Sequence, residues 1–263
     1  MNEREYLEAY DANKFDRPSV TADVMLLRMN KNTFGSLQVL LVKRSEHPFK
    51  DNWALPGTFI KMKESAYSAA CRALKEKTGV TNIYLEQLYT MSQPNRDPRT
   101  RVMSIAYMGL LPYDADIVLH ENARWFDVVL TADHMIVESD DVAIQYKLAK
   151  KHFNNGVIDV ENTHIKKLTS KEALAFDHQE IILEGIMKLR KDILHEDYAF
   201  NLVAKTFTLV DLTQVYEVVL GKKMYKNALK RDRVGDKLEP TGELMKPITS
   251  QRSATAYRYR KNT

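Results

Sequence analysis

Between Leu55 and Val80 the chain sets the charged residues Glu64, Arg72 and Glu76, with Ala73 and Lys77 close to the last. Positions 73, 76 and 77 are spaced i, i+3, i+4, so on a helix they share one face. Carboxylates at all three would gather a hard divalent cation, which takes several anionic oxygens. Here the face reads Ala, Glu, Lys and is net neutral. One glutamate beside a lysine is a poor metal site, so Glu76 is at most a weak ligand and no catalytic residue is assigned. A second dense cluster, Asn95-Arg96-Asp97-Pro98-Arg99-Thr100-Arg101-Val102, offers other chemistry. A planar guanidinium grips a phosphate through two parallel hydrogen bonds, and Pro98 stiffens the loop, lowering the entropy lost on binding. The same cluster also fits a solvated turn between strands.

A helix must carry positions 73–77. Cys71, Leu74 and Val80 are the apolar residues that seat it, and Gly79 ends it where a left-handed backbone needs no Cβ. Cys71 is the single cysteine; it excludes an internal disulfide, fits a reducing compartment and reads as a small buried residue. Val20–Leu27 and Leu37–Arg44 read as strands around a loop containing Gly35. Ile83–Thr90, Arg101–Leu111 and Ala123–Val128 are further strands, and 161–168 alternates weakly. Ser170–Ala173 starts a short helix. Gln179–Ile193 then carries Ile181, Ile182, Gly185, Ile186, Leu189 and Ile193 at helical spacing, with Asp177 as its side-chain cap. That helix closes the first unit and offers a face for pairing with a second subunit.

Residues 55–80 resemble the Nudix box, G-x5-E-x7-R-E-U-x-E-E-x-G-U with U aliphatic. With Thr58 at the first glycine, Glu64, Arg72, Leu74, Glu76, Gly79 and Val80 fall on their positions, and the flank Trp53-Ala54-Leu55-Pro56-Gly57 also fits. Ala73 and Lys77 stand where the family carries two catalytic glutamates. The resemblance implies an α/β/α sandwich and a Glu64–Arg72 ion pair that pins the loop onto the helix. It implies a domain retained for binding. It further implies that Arg96, Asp97, Arg99 and Arg101 lie beside a site for ADP-ribose or a related phosphorylated compound. Phe176-Asp177-His178 is similar to a segment late in such domains. Glu86, Glu121 and Glu138 are carboxylates outside the box, and nothing in the sequence places them at a metal. No histidine pair has zinc-site spacing.

The net charge of +4 is unevenly spread. Residues 222–263 carry twelve Lys/Arg against four Asp/Glu, whereas the first 221 carry 27 against 31. A basic module on a mildly acidic body is the arrangement expected when one module touches nucleic acid, with a solvated basic tail as the bland alternative. Thr208 and Asp211 open a helix with Leu209, Leu212, Val215, Tyr216 and Val219 on one face and Gly221 as its stop. A second helix, Met224 to Val234, is stopped by Gly235 and exposes Lys226, Asn227, Lys230, Arg231 and Arg233. Leu238–Gly242 and Ala256–Arg260 form a wing in which Arg258 and Arg260 face away from Tyr257 and Tyr259. Helix, turn, basic helix and wing make a winged helix-turn-helix, its second helix in the major groove and its wing on the backbone.

Both parts together resemble the Nudix-related transcriptional regulators. The resemblance implies an α/β chain with an N-terminal arm (1–16), a Nudix-like effector domain (17–197) and a winged-helix domain (198–263). It implies double-stranded DNA and a small phosphorylated effector such as ADP-ribose as partners, a homodimer and no cofactor. Asn227 is followed by Ala228 where the family has an Asn-Phe pair, which leaves the operator sequence open. The alternative is an active hydrolase of ADP-ribose or another nucleoside-diphosphate derivative, with Mg²⁺ or Mn²⁺ held by Glu76 and a carboxylate from outside the box. A length of 263 residues fits about two domains. The charged start and the lack of any run of ~18 apolar residues fit a cytoplasmic protein with no membrane partner.

Overall fold

The computed structural model describes residues 2–260. A short helix α1 (Glu3–Ala9) starts on a capping box in which Asn2 and Glu5 bond each other's backbone N–H. The first half of the chain then lays down β1 (Ser19–Met29), β2 (Leu37–Lys43), β3 (Trp53–Ala54), β4 (Gly57–Phe59), α2 (Ala66–Thr78), β5 (Leu85–Met91), β6 (Val102–Leu111) and β7 (Ala123–Leu130). Next come β8 (His134–Ser139), β9 (Val142–Asn154), β10 (Asp159–Leu168) and α3 (His178–Asp192). The C-terminal part holds β11 (Phe207–Thr208), α4 (Leu209–Leu220), α5 (Lys226–Leu229), β12 (Leu238–Met245) and β13 (Ala254–Tyr259).

Strand β1 is buried along nearly its whole length, which a strand covered on both faces requires. It pairs parallel with β6 and antiparallel with β2 and β4, in a sheet of order β10-β9-β8-β7-β2-β1-β6-β5. Ala22, Val24 and Leu26 point to α2, packing with Ala69, Ala70 and Leu74. Met25, Leu27 and Met29 point the other way, into a core with Ile181, Ile182, Ile186 and Leu189 of α3. The alternation of one strand thus divides the two helical layers, as an α/β/α sandwich requires. Ser65 caps α2 by accepting from the Ser68 N–H, and Gly79 closes it at φ 81°.

Several expectations change. Residues 134–154 form two strands, β8 and β9, that periodicity did not single out, and β10 pairs with β9 as a long ribbon. Ser170–Ala173 forms no helix: the Ser170 hydroxyl accepts from the Gln145 N–H, and Leu174 bridges Trp53. Asp177 sits at the start of α3 without a side-chain capping bond. Ile181, Ile182, Ile186, Leu189 and Ile193 are buried in the chain's own core, and Met187 is the large apolar side chain that α3 leaves exposed among the described residues. Cys71 is only partly buried against the α2 cluster. No described helix is long and apolar enough to cross a membrane.

In the C-terminal part Thr208 and Asp211 form the expected capping box and Gly221 ends α4 at φ 67°. The basic helix is shorter than expected. Regular α-helix covers Lys226–Leu229, a wider π turn follows at Lys230–Val234, and a 3₁₀ turn runs on to Lys237. Gly235, expected to stop the helix, has φ −61° and opens the 3₁₀ turn instead. Strands β12 and β13 pair antiparallel as a wing, with β11 on the far side of β13.

Candidate functional site: an arginine-lined cavity and a basic winged helix

A cavity of about 370 Å³ opens where β1, β2, β4 and α2 meet the 96–99 loop and the segment before α3. Its floor is a buried polar cluster. The Arg96 guanidinium donates to Asp177 Oδ2 and Oδ1 at 2.8 and 2.6 Å and lies 3.6 Å from Asp23. His178 Nδ1 accepts from the Leu55 N–H at 2.9 Å, which leaves the ring proton on Nε2, 3.8 Å from Asp23 Oδ1. Burial pushes His178 below the usual histidine range, so the ring is neutral at physiological pH. Gly57 stands against this cluster because nothing larger fits; a Cβ there would lie 1.8 Å from Asp23 Oδ1.

The walls carry cations and rings. Asp97 fixes Arg99 by accepting from its backbone N–H and from its guanidinium at 3.0 and 2.7 Å. That ion pair holds Asp97 below the ordinary carboxylate range. Arg99 lies 5.3 Å from the Phe59 ring centre and 5.7 Å from that of Phe176; Arg44 lies 4.9 Å from Phe176. Arg44 donates to the carbonyls of Pro48 and Glu46, so its hydrogen bonds go to the backbone and not to the nearby carboxylates of Asp97, Glu46 and Asp23. Lys77 completes the wall from α2.

Of the four residues expected beside the effector site, Asp97 and Arg99 line the cavity wall. Arg96 lies in its floor, 8% exposed, and is committed to carboxylates. Arg101 lies outside, its guanidinium donating to the carbonyls of Ser92 and Gln93, and holds the loop instead. Arg44 and Lys77 were missed as wall residues; the first sits at the end of a strand and the second was read only as a lost glutamate.

The box itself has the expected scaffold. Arg72 Nε donates to Glu64 at 3.1 Å, and Arg72 also bonds Thr58, the Phe59 carbonyl and Glu76. Hydrogen bonds from Arg72 and from the Lys61 N–H lower Glu64 to about 2. The donor set does not suit a divalent cation. Ala73 is fully buried against the sheet, Lys77 is cationic, and Glu76 is turned to Arg72. Glu86 is engaged with Tyr198 and Lys188, and neither Glu121 nor Glu138 lines the cavity. Among the described residues no three His, Cys, Asp or Glu side chains cluster as a metal site.

The second basic surface is the winged helix. Lys226, Asn227, Lys230, Arg231, Arg233, Arg258 and Arg260 are all exposed. Lys230 Nζ donates to the Tyr257 hydroxyl at 3.1 Å and lies 5.2 Å from its ring centre, tying the basic helix to the wing. Arg231 pairs with Asp232. Arg233 Nη1 reaches the Leu194 carbonyl at 2.8 Å, and the Arg260 guanidinium reaches the Leu238 carbonyl at 3.4 Å.

Both surfaces have counterparts among known proteins. Residues 17–145 match the NUDIX domain and residues 199–259 the NrtR DNA-binding winged helix domain. The chain belongs to the Nudix-related transcriptional regulators. This regulator is 27% identical over 263 residues to the ADPR responsive transcriptional repressor NtrR of Acinetobacter baylyi, covering 98% of this chain and 88% of that protein. It is also similar to the crystal structure of a MutT/nudix family protein from Enterococcus faecalis, at 26% identity and a TM-score of 0.76 over 99% of this chain and 94% of that one. Shewanella oneidensis NrtR complexed with a 27mer DNA matches at 26% identity and a TM-score of 0.66, over 92% of this chain and 93% of that one.

Proposed function

We infer that this chain is a transcriptional repressor of the cytoplasm that binds operator DNA through its winged helix and responds to ADP-ribose, or a related phosphorylated compound, bound in the cavity. The observation that carries the reading is a box that keeps its scaffold and its cavity while losing two carboxylates, in a chain similar from end to end to an ADPR responsive repressor. The regions are an arm at 1–16, an effector domain at 17–197 and a DNA-binding domain at 198–263. Arg99 and Asp97 shape the effector site. Lys226, Asn227, Lys230, Arg231 and Arg258 face DNA. A symmetric dimer sets two winged helices on the half-sites of a pseudo-palindromic operator. Effector binding then changes DNA affinity by no more than its differential affinity for the two arrangements of the winged helices.

Calorimetry with ADP-ribose, run beside a hydrolysis assay with excess Mg²⁺ and Mn²⁺ and a mobility-shift assay on operator DNA, tests this reading. Binding without turnover, with altered DNA affinity, is the expected result. Turnover at ordinary enzymatic rates would return the protein to the hydrolases.

A further inference from the structure

In a Nudix hydrolase the box carboxylates place divalent cations against the ligand's charge. The same face here carries Ala73, Glu76 and Lys77. Glu76 bonds Arg72 at 3.3 Å, and Ala73 has no donor atom. Lys77, by contrast, lines the cavity and makes no hydrogen bond or ion pair with any described residue. It shares the cavity with Arg44, whose hydrogen bonds go only to backbone carbonyls. Burial and the neighbouring Arg44 lower the Lys77 amine, against the opposing pull of Asp23, Glu46 and Glu76.

We propose that Lys77 and Arg44 take the place of the divalent cation, holding the phosphate charge of the effector directly so that binding needs no metal. This rests on the effector reading above and adds which residues make the contact and what ion is dispensed with. Of the other cavity cations, Lys43 is exposed and its amine lies 6.0 Å from the Trp53 ring centre, and the two remaining arginines are committed to carboxylates. Arg96 is paired with Asp177 and Asp23, and Arg99 with Asp97. Lys77 and Arg44 are therefore the half-buried cavity cations that no carboxylate holds by a hydrogen bond or ion pair among the described residues. A lysine is a compact point charge suited to a single phosphate oxygen, and an arginine spans two. The pair could contact both phosphates of a diphosphate. Lys77, one of the two residues that depart from the acidic box, thereby supplies the electrostatic replacement for the ion it displaces.

The test is calorimetric titration of the full chain with ADP-ribose, once in EDTA and once in excess Mg²⁺. Equal affinity in the two buffers is expected for the wild type. Lys77→Met, which keeps the length and removes the charge, should weaken binding about tenfold or more in both. Lys77→Glu should abolish binding in EDTA and regain part of it with Mg²⁺. Operator binding without effector, and the melting temperature, report whether the variants fold. Wild-type binding that requires Mg²⁺ would overturn the proposal and leave the effector reading standing, whereas no binding in either buffer would remove both. Full affinity in Lys77→Met would also overturn it. The wild-type comparison needs no variant, so a misfolded mutant leaves the question answerable.

Discussion

Arg96 and Asp177 lie 81 positions apart and meet as a bidentate pair at 2.8 and 2.6 Å, with the Arg96 side chain 3% exposed. Asp23 stands 3.6 Å away on the same arginine. This pair joins the 96–99 loop to the first residue before α3 and fixes the cavity floor. Removing one member of such a pair strands buried charge, at a cost of about 3–5 kcal/mol. Arg96→Ala is therefore expected to act on stability first, measured by urea unfolding of the unliganded protein. Arg99→Ala, with its side chain 42% exposed, should unfold near the wild-type midpoint and lose effector affinity instead. Equal stability of the two variants would refute the division of labour.

The strands that build the sheet centre were legible because burial on both faces leaves long apolar runs, as in Val24-Met25-Leu26-Leu27 and Val39-Leu40-Leu41-Val42. The C-terminal end of α2 was legible for a local reason as well, since Gly79 needs φ above zero. Strands β8 to β10 were not read as a set. The far half of their ribbon, Lys150–Asn154 against Asp159–Asn162, is held by backbone pairing with side chains largely in water. No apolar period marks it. In the site the arginine cluster was visible, but its roles were not. Whether an arginine meets phosphate or carboxylate depends on Asp23 and Asp177, which only the folded chain brings to Arg96. Lys77 was read against what it replaced, and its company with Arg44 comes from the packing of α2 on β1 and β4, which brings both side chains to one cavity.

Contacts at the basic helix divide it into residues open to phosphate and residues already engaged. Lys226 and the wing residue Arg258 make no side-chain hydrogen bond or ion pair among the described residues, so Lys226→Ala with Arg258→Ala should lower the slope of log affinity against log salt by about two, since each neutralised phosphate contributes roughly 0.9. Arg233→Ala should leave that slope near the wild-type value, because its guanidinium is held by the Leu194 carbonyl. Mobility shifts on operator DNA across a salt series measure both. An unchanged slope in the double variant would place the phosphate contacts elsewhere on the domain.

Glu180 lies in the first turn of α3, half-buried, with no hydrogen-bond partner among the described residues. Burial first, then Glu184 and Asp177, raise its carboxyl from 4.5 to about 7. A folded state that favours the protonated acid gains stability below the unfolded value of 4.5 and loses it as pH rises through 7. Replacement by neutral glutamine removes that loss. Glu180→Gln should thus stabilise the protein at pH 8 by on the order of 2 kcal/mol, and by little at pH 4.5. Unfolding midpoints at the two pH values test it; a gain that is equal at both would mean the glutamate is not titrating.

Helix α3 begins at the cavity floor with His178 and ends beneath the winged helix. Near that end Arg190 donates to the Val219 carbonyl at 2.8 Å and to the Leu130 carbonyl at 3.0 Å, so one guanidinium joins α3, the last turn of α4 and the end of β7. A cation at the C-terminal carbonyls of α4 also meets the favourable end of that helix's dipole. The contact has no carboxylate in it, so its loss strands no opposite charge. Arg190→Ala should cost about 1–3 kcal/mol from the unpaired carbonyls. Its larger consequence concerns coupling. Movement at the cavity can reach α4 only through elements that touch both, and α3 is packed against β1 on one side and α4 on the other. With Arg190 gone, effector affinity and unliganded operator affinity should each stay within about threefold of wild type, while the effector's influence on operator affinity shrinks from the 5–150-fold range typical of coupled sites. Titrating operator DNA with and without saturating ADP-ribose gives all three quantities. Full coupling in the variant would move the route to the neighbouring seam, where Asp197 binds Lys237 and Tyr259 and Tyr198 binds Glu86.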